Sequence, residues 1–152
     1  MVQDENKEEL QAGLVQNCTC FNLRKASRAV THLFDEGLKS RGLNATQFTL
    51  LAAISSSDNV AITQLSRILI MDRTTLTRNL SPLQKKNWVL VRPGEDKRTR
   101  VLSLTSLGKK VLKSSMEDWR KLQTGVVKTL GRENWETLLD KIDFAVKKLN
   151  PY

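Results

Sequence analysis

The sequence predicts a mostly α, α+β fold in which a frame of helices carries one small β-hairpin, and two observations predict it. The first is the stretch Asp72–Leu104, DRTTLTRNLSPLQKKNWVLVRPGEDKRTRVLSL, where a helix-period apolar pattern gives way to two β-rich runs joined by a turn. The second is a set of helix-period stripes on either side of it, over about residues 10–40 and 106–150. With 152 residues and 39% hydrophobic content, the chain is read as one domain, long enough to bury a core and short for a two-domain enzyme.

Asp72 is an N-cap residue, its carboxylate able to accept from free backbone N–H groups of the first helical turn. Leu76, Leu80 and Leu83 then fall within roughly 60° of one another, which makes that face core. The opposite face holds Thr74, Arg78, Ser81 and Lys85, with Thr77 at its margin. Short hydroxyls between long cations suit a DNA groove, where arginine reads guanine, hydroxyls bond base edges or phosphates, and a threonine methyl meets thymine. Taken alone, a solvated basic face is the plainer reading. The residues after the helix shift that balance. Asn87 ends the helix, and Trp88–Arg92 and Arg100–Leu104 flank the turn PGEDKRT, which predicts a hairpin directly after the basic helix. Its tip carries Lys97, Arg98 and Arg100 against Glu95 and Asp96. Asp96, two residues before Arg98, is expected to brace that arginine by a short ion pair, and a cationic tip suits a narrow minor groove.

Residues 61–110 hold eleven Lys or Arg against three acids, so nearly all of the formal charge of +9 sits in the third of the chain with this helix and hairpin. Focused positive charge favours a polyanion partner. The N-terminus is acidic (Asp4, Glu5, Glu8, Glu9), unlike a signal peptide, and no apolar run approaches the ~20 residues that span a bilayer. The expectation is a soluble cytoplasmic protein with no membrane partner.

From Leu10 to about Ser40 there is no proline, and one long helix, or a helix with a loose first turn, is expected. Leu10, Leu14, Cys18 and Phe21 lie on one side of it and Leu23, Val30, Phe34 and Leu38 nearly opposite, so it needs two partners. Gly42 closes that helix, and Asn44 or Thr46 caps a strongly apolar one over about Ala45–Ser56. Val60-Ala61-Ile62 is a candidate third strand for the hairpin. Thr63 then caps a short helix with Leu65, Ile68 and Leu69 inward. Two helices about three residues apart, the second with the polar face, have the spacing of a helix-turn-helix, here with a wing. Thr105 caps a long helix through Leu107, Val111, Trp119, Leu122, Val126 and Leu130. Gly131 breaks it, and Trp135, Leu138, Leu139, Ile142, Val146 and Leu149 continue the stripe. A winged unit is complete without these faces, so a second subunit is their simplest cover; a monomeric helical cap is the alternative.

The run ITQLSRILIMDRTTLTRNLSPLQKKNWVLVRPGEDKRTRVLSLTSLG resembles the winged helix-turn-helix core of the multiple-antibiotic-resistance regulator (MarR) family, and the flanking helical pattern is also similar. The most specific parts are DRTTLTRNL, the Asp96-x-Arg98 wing element, and Leu104-Thr105-x-x-Gly108. The resemblance implies a homodimer on a pseudo-palindromic operator, a repressor released by a small effector or by thiol oxidation. It places Arg73, Thr74, Thr75, Thr77 and Arg78 on the recognition helix and Arg98 at the wing tip. It also implies a winged core at about 45–104 between dimerisation helices. The turn position often held by glycine is Ile70 here, and a negative φ is expected for it.

Cys18 and Cys20 point ~200° apart on a helix, which suits neither a mutual disulfide nor a shared zinc; packing as small buried apolar residues is expected. The context Cys-Phe-x-Leu-x-x-Ala-Ser-Arg at Cys20 is similar to the peroxide-sensing cysteine of organic hydroperoxide resistance regulators, although position 24 is Arg where that branch has Tyr. Arg24 or Arg28 would favour the thiolate of such a sensor. His32 has no companion ligands, so no metal or other cofactor is expected. The resemblance further implies a crevice for a small aromatic or phenolic ligand, drawing on Phe21, Arg28, His32 and Phe48. No phosphate-cradling glycine loop, no histidine beside a nucleophile and no paired carboxylates in an apolar setting support an enzyme. A protein- or RNA-binding winged module is the third class, and the basic face lacks the stacking aromatics of a single-strand RNA binder.

Overall fold

The computed structural model describes residues 13, 15–57, 59–96 and 98–150. The expectations for the acidic N-terminus, Leu10, Leu14 and Lys97 lie outside the described residues. Helix α1 (Thr19–Leu38) runs through a short 3-10 turn, Lys39–Arg41, into α2 (Ala45–Ser55). Next come strand β1 (Val60–Ala61), helices α3 (Ile62–Ile68) and α4 (Arg73–Lys85), and strands β2 (Val89–Pro93) and β3 (Arg100–Leu104). Two long helices, α5 (Ser106–Leu130) and α6 (Arg132–Leu149), complete the chain. The strands form one antiparallel sheet in the order β1-β3-β2, with Val60 opposite Leu102 and Val91 opposite the same residue from the other side.

Helix α2 is the hub of the core. Phe48, Leu50, Leu51 and Ile54 are buried, and a helix apolar around so much of its circumference must be enclosed. It touches α1, α4, α5 and β3. Its start is a capping box, Asn44 accepting from the Gln47 N–H at 2.8 Å while the Gln47 side chain accepts from the Asn44 N–H at 3.3 Å. Gly42, at φ 67, makes the left-handed turn before it. The Phe48 ring stacks on Trp119 of α5 at 5.9 Å between centroids. Leu38, Leu65, Leu76, Leu83 and Leu102 close the core from the other elements, each fully buried. Arg41 donates to Asp118 at 2.5 Å and so ties the 3-10 turn to α5; that contact holds the Asp118 carboxyl below its ordinary range.

Five details differ from the sequence expectations, the first being that Ile68, expected to face inward, is exposed at the end of α3, where only Leu65 is buried and Leu69 is half-buried. Residues 15–17 are helical, but the chain breaks at Cys18, whose Sγ caps α1 by accepting from the Phe21 N–H at 3.4 Å. Cys18 and Cys20 are both exposed rather than packed inside. Helix α3 begins one residue before Thr63, with Ala61 at the N-cap, because β1 hands over to it directly. Ile70 takes a positive φ of 49, contrary to the negative value expected. The reason lies in the end of α3. The Ile70 N–H donates to the Arg67 carbonyl (3.2 Å) and the Met71 N–H to the Ser66 carbonyl (2.9 Å), the paired bonds that close a helix when the residue after its C-cap is left-handed. Helix α4 ends the same way: Asn87 (φ 56) donates to Gln84 and Trp88 to Leu83, each at 2.9 Å. Asn tolerates that conformation; a β-branched Ile is strained in it.

The Leu104-Thr105-x-x-Gly108 element joins the wing to α5. Thr105 donates its N–H to the Trp88 carbonyl (3.0 Å) and its hydroxyl to the Asn87 carbonyl (2.7 Å), while Oγ1 accepts from the Gly108 N–H (2.9 Å). A Cβ on Gly108 would collide with the Trp88 carbonyl, so only glycine lets α5 start this close to β2.

Two substitutions test these constraints in urea unfolding. Gly108→Ala is expected to cost about 1–3 kcal/mol through the backbone collision. Ile70→Gly is expected to raise stability by about 0.5–1 kcal/mol, because relief of ~1–2 kcal/mol of left-handed strain exceeds the added entropy of an unfolded glycine. A loss of stability in Ile70→Gly would contradict the strain.

Candidate nucleic-acid interface

Helix α4 is held from two directions. Its Leu76, Leu80 and Leu83 face is buried in the core, and its first turn is fixed by Asp72. The Asp72 carboxylate accepts from the Thr75 N–H at 2.8 Å and from the Thr75 hydroxyl at 2.6 Å. These bonds, the hydroxyl's first, hold the Asp72 carboxyl below its ordinary range. The outward face then presents Arg73, Thr74, Thr77, Arg78 and Lys85, all exposed, with Ser81 half-buried at its edge. Two of the sequence-derived hydroxyls are engaged by the helix itself. Thr75 is committed to Asp72, and Thr77, itself exposed, donates to the Arg73 carbonyl at 2.7 Å. Thr74 makes no side-chain hydrogen bond among the described residues, so its hydroxyl is available to a ligand.

Between α3 and the start of α4 lies a cleft of about 370 Å³ lined by Thr63, Ser66, Arg67, Asp72, Arg73 and Thr74, with Met71. Arg67 and Arg73 flank the N-terminus of a helix, where unpaired N–H groups and the helix dipole favour an anion such as a backbone phosphate. In the sequence Arg67 is one of the eleven cations of the basic third and has no role of its own. Its position in the last turn of the helix before α4 is the signal that could have found it.

The wing tip is organised differently from expectation. Asp96 does not pair with the Arg98 guanidinium; its carboxylate accepts from the Arg98 backbone N–H at 2.9 Å. An Asp side chain reaches the amide two residues on with less loss of freedom than it can hold a long arginine in water, so the brace acts on the backbone. Thr99 donates its N–H (2.8 Å) and its hydroxyl (2.7 Å) to the Asp96 carbonyl, and Gly94 donates to the Thr99 carbonyl at 3.1 Å. The tip is a closed, internally bonded turn with the side chains of Arg98 and Arg100 exposed.

The residues expected to form an effector crevice are not brought together within one chain. Arg28 and His32 share a shallow groove of about 570 Å³ on α1 with Ala29, Leu33 and Glu36. Phe48 is in the core against Trp119, and Phe21 is exposed near the start of α1. A second groove, about 550 Å³ and almost wholly apolar, runs between α1 and α5 past Val30, Leu33, Leu122, Val126 and Leu130.

A helix-turn-helix followed by the β2–β3 wing, which pairs with β1 from before it, and framed by long helices defines a winged helix-turn-helix fold, and comparison with known proteins agrees. A MarR family sequence model matches residues 41–99. The transcriptional regulator MosR of M. tuberculosis, crystallised in complex with DNA, superposes with a TM-score of 0.72 at 31% identity over 85% of this chain and 98% of its own. A cysteine-to-serine mutant of MarR from E. coli, complexed with operator DNA, gives a TM-score of 0.72 at 26% identity over 85% and 91%. The HTH-type transcriptional regulator SarZ of Staphylococcus epidermidis is 33% identical over 93 residues, 60% of this chain and 63% of that relative, so the match spans less than two thirds of its length. The chain belongs to the MarR family of transcriptional regulators. Among the described residues no helix is long and apolar enough to cross a membrane.

Replacing Asp72 tests the cap on which this face depends. Asp72→Ala is expected to destabilise the fold at neutral pH through loss of the N-cap. Because the folded carboxyl titrates below its unfolded value, its contribution is present above the unfolded pKa and is lost as pH falls through the folded one. The difference between wild type and variant in urea should therefore shrink on acidification; a gap that persists at the lowest accessible pH would contradict the assignment.

Proposed function

We propose that the protein is a homodimeric, DNA-binding transcriptional repressor that reads a pseudo-palindromic operator. The observation that carries this reading is the row Arg73, Thr74, Thr77 and Arg78, exposed on a helix whose other face is locked in the core, with Arg98 and Arg100 displayed on the wing beyond it. Such a helix enters the major groove by its N-terminal half, and the wing meets the adjacent backbone or minor groove. Lys85 adds charge at the margin of this surface, and Lys97 is a further cation in the sequence of the wing-tip turn. MosR and MarR, both crystallised with DNA, lend the reading support.

The dimer rests on surface that the single chain leaves uncovered. Helix α6 buries none of its residues, and Leu138, Leu139, Ile142, Phe144 and Leu149 are exposed along it, Phe144 by 61% and Leu149 by 72%. Leu23, Val30 and Leu33 of α1 are exposed as well. Apolar area on this scale calls for a partner surface, and a second copy supplies one with the same stripes. Two subunits place their reading helices about one DNA turn, ~34 Å, apart. Release from the operator is assigned either to a small aromatic or phenolic ligand held near Arg28 and His32 across the dimer, or to oxidation of Cys20 or Cys18, whose exposed thiols are open to oxidants.

Fluorescence anisotropy on a selected operator duplex tests the first assignment. Arg78→Ala is expected to cost about 1–3 kcal/mol at the preferred site and to relax sequence choice, whereas Arg98→Ala weakens all duplexes more evenly. Equal, sequence-blind losses at both positions would remove the assigned roles. Sedimentation tests the second: Leu139→Asp with Ile142→Asp should yield a folded monomer with much reduced operator affinity. A wild-type chain that sediments as a monomer at micromolar concentration would refute the dimer.

A further inference from the structure

Met71 stands between the left-handed turn at Ile70 and the Asp72 cap of α4. Its side chain is half-buried, packs on the edge of the core, and lines the cleft of about 370 Å³ between α3 and α4 together with Arg67, Arg73 and Thr74. The one carboxylate of that cleft, Asp72, is taken up by Thr75. Asn79 of α4, also half-buried, donates its side-chain amide to the Met71 Sδ at 3.6 Å. Among the described residues this is the only hydrogen bond of the Asn79 side chain. A thioether is a weak acceptor, so a sheltered amide donor is left poorly satisfied. Met116 is half-buried as well, but among the described residues no donor reaches its sulfur. Met71 alone of the two combines an open cleft, a fixed amide donor on the sulfur and two guanidinium groups alongside.

We propose that Met71 is a site of sulfoxidation by peroxides and that the sulfoxide lowers the affinity of α4 for a duplex; the second half rests on the DNA reading proposed above. The sulfur lone pair attacks one peroxide oxygen, the O–O bond breaks, and the hydroxide released takes the proton of the new S–OH and leaves as water. The sulfur gives up two electrons and the peroxide gains them. The product oxygen is a strong acceptor where the thioether is a weak one. The Asn79 amide binds it, a contact that the reduced protein already prepares, and Arg67, Arg73 and Thr74 are further donors in the same cleft. Donors drawn to the sulfoxide are withdrawn from a DNA phosphate. The Met71 N–H is held by the Ser66 carbonyl at 2.9 Å, so the new polar group stays at the start of α4. Cys18 and Cys20, at the start of α1, take no part in this step.

The test uses the full chain with Cys18 and Cys20 changed to serine, treated with hydrogen peroxide. Peptide mass mapping is expected to find the added oxygen at Met71 before Met116, and the side-chain amide signals of Asn79 are expected to shift as it appears. Operator affinity is expected to fall about tenfold or more on oxidation, to return after treatment with a methionine sulfoxide reductase, and to fall equally in Met116→Leu. In Met71→Leu the affinities before and after peroxide should be the same. Oxidation of Met116 ahead of Met71, an unmoved Asn79 amide, undiminished affinity in protein oxidised at Met71, or an equal loss in Met71→Leu would each overturn the proposal. The mass order and the amide shifts are read without DNA, so failure of the unoxidised chain to bind any duplex counts against the DNA reading alone.

Discussion

Burial of the Leu76, Leu80 and Leu83 face against the α2 hub is the constraint on which the rest of the structure depends. A helix has one rotation that buries such a stripe, and that rotation leaves Thr74 and Arg78 on the outside whatever their own preferences. The cationic face is thus aimed by leucines on the far side of the same helix. Each leucine truncated to alanine would remove a few kcal/mol of packing and, with it, the fixed direction of the arginines.

The ends of α4 convert that orientation into a rigid unit. Asp72 fixes the first turn and paired carbonyl bonds through Asn87 and Trp88 close the last, so the chain leaves the helix directly into β2. Thr105 and Gly108 then clamp α5 onto the same Trp88 carbonyl region. Helix α4, the wing and α5 therefore meet at one joint of a few residues. The strain at Ile70 belongs to this scheme as well: the turn before α4 must be left-handed to satisfy the carbonyls of α3, and the fold holds a poorly suited residue in place there.

Much of this is legible in the sequence because it is written in local chemistry. The Asp72 cap, the Asn44 cap, the Gly42 turn, the hairpin and its third strand at Val60 each rest on a few neighbouring residues whose physics is short-ranged. Sequence and structure part where the deciding partner is elsewhere or where two local options compete. The side chain of Ile70 argues for a negative φ, whereas the carbonyls of Arg67 and Ser66 set a positive one. Asp96 has two possible partners two residues away, and the backbone amide prevails over the solvated guanidinium. Residue type argues for burial of Cys18 and Cys20, but α1 is covered by its own chain only toward its C-terminal half, at Phe34 and Leu38. The Arg67 contribution to the cleft is hidden in the sequence because it needs α3 and α4 placed side by side.

The exposed stripes of α1 and α6 are the counterpart of the buried one on α4, since exposed apolar faces this long mark a surface that a partner covers. Under the proposed dimer the two features make a testable geometry, two outward helices related by a two-fold axis. The most direct measurement tethers an iron–EDTA cleavage reagent at Thr77→Cys, with Cys18 and Cys20 changed to serine, and maps backbone scission on the bound duplex. The account predicts two scission patches related by two-fold symmetry and about one helical turn, ~34 Å, apart, and none when the reagent is placed at Glu136→Cys on α6. Scission from the α6 position alone, or an even ladder from both, would contradict it.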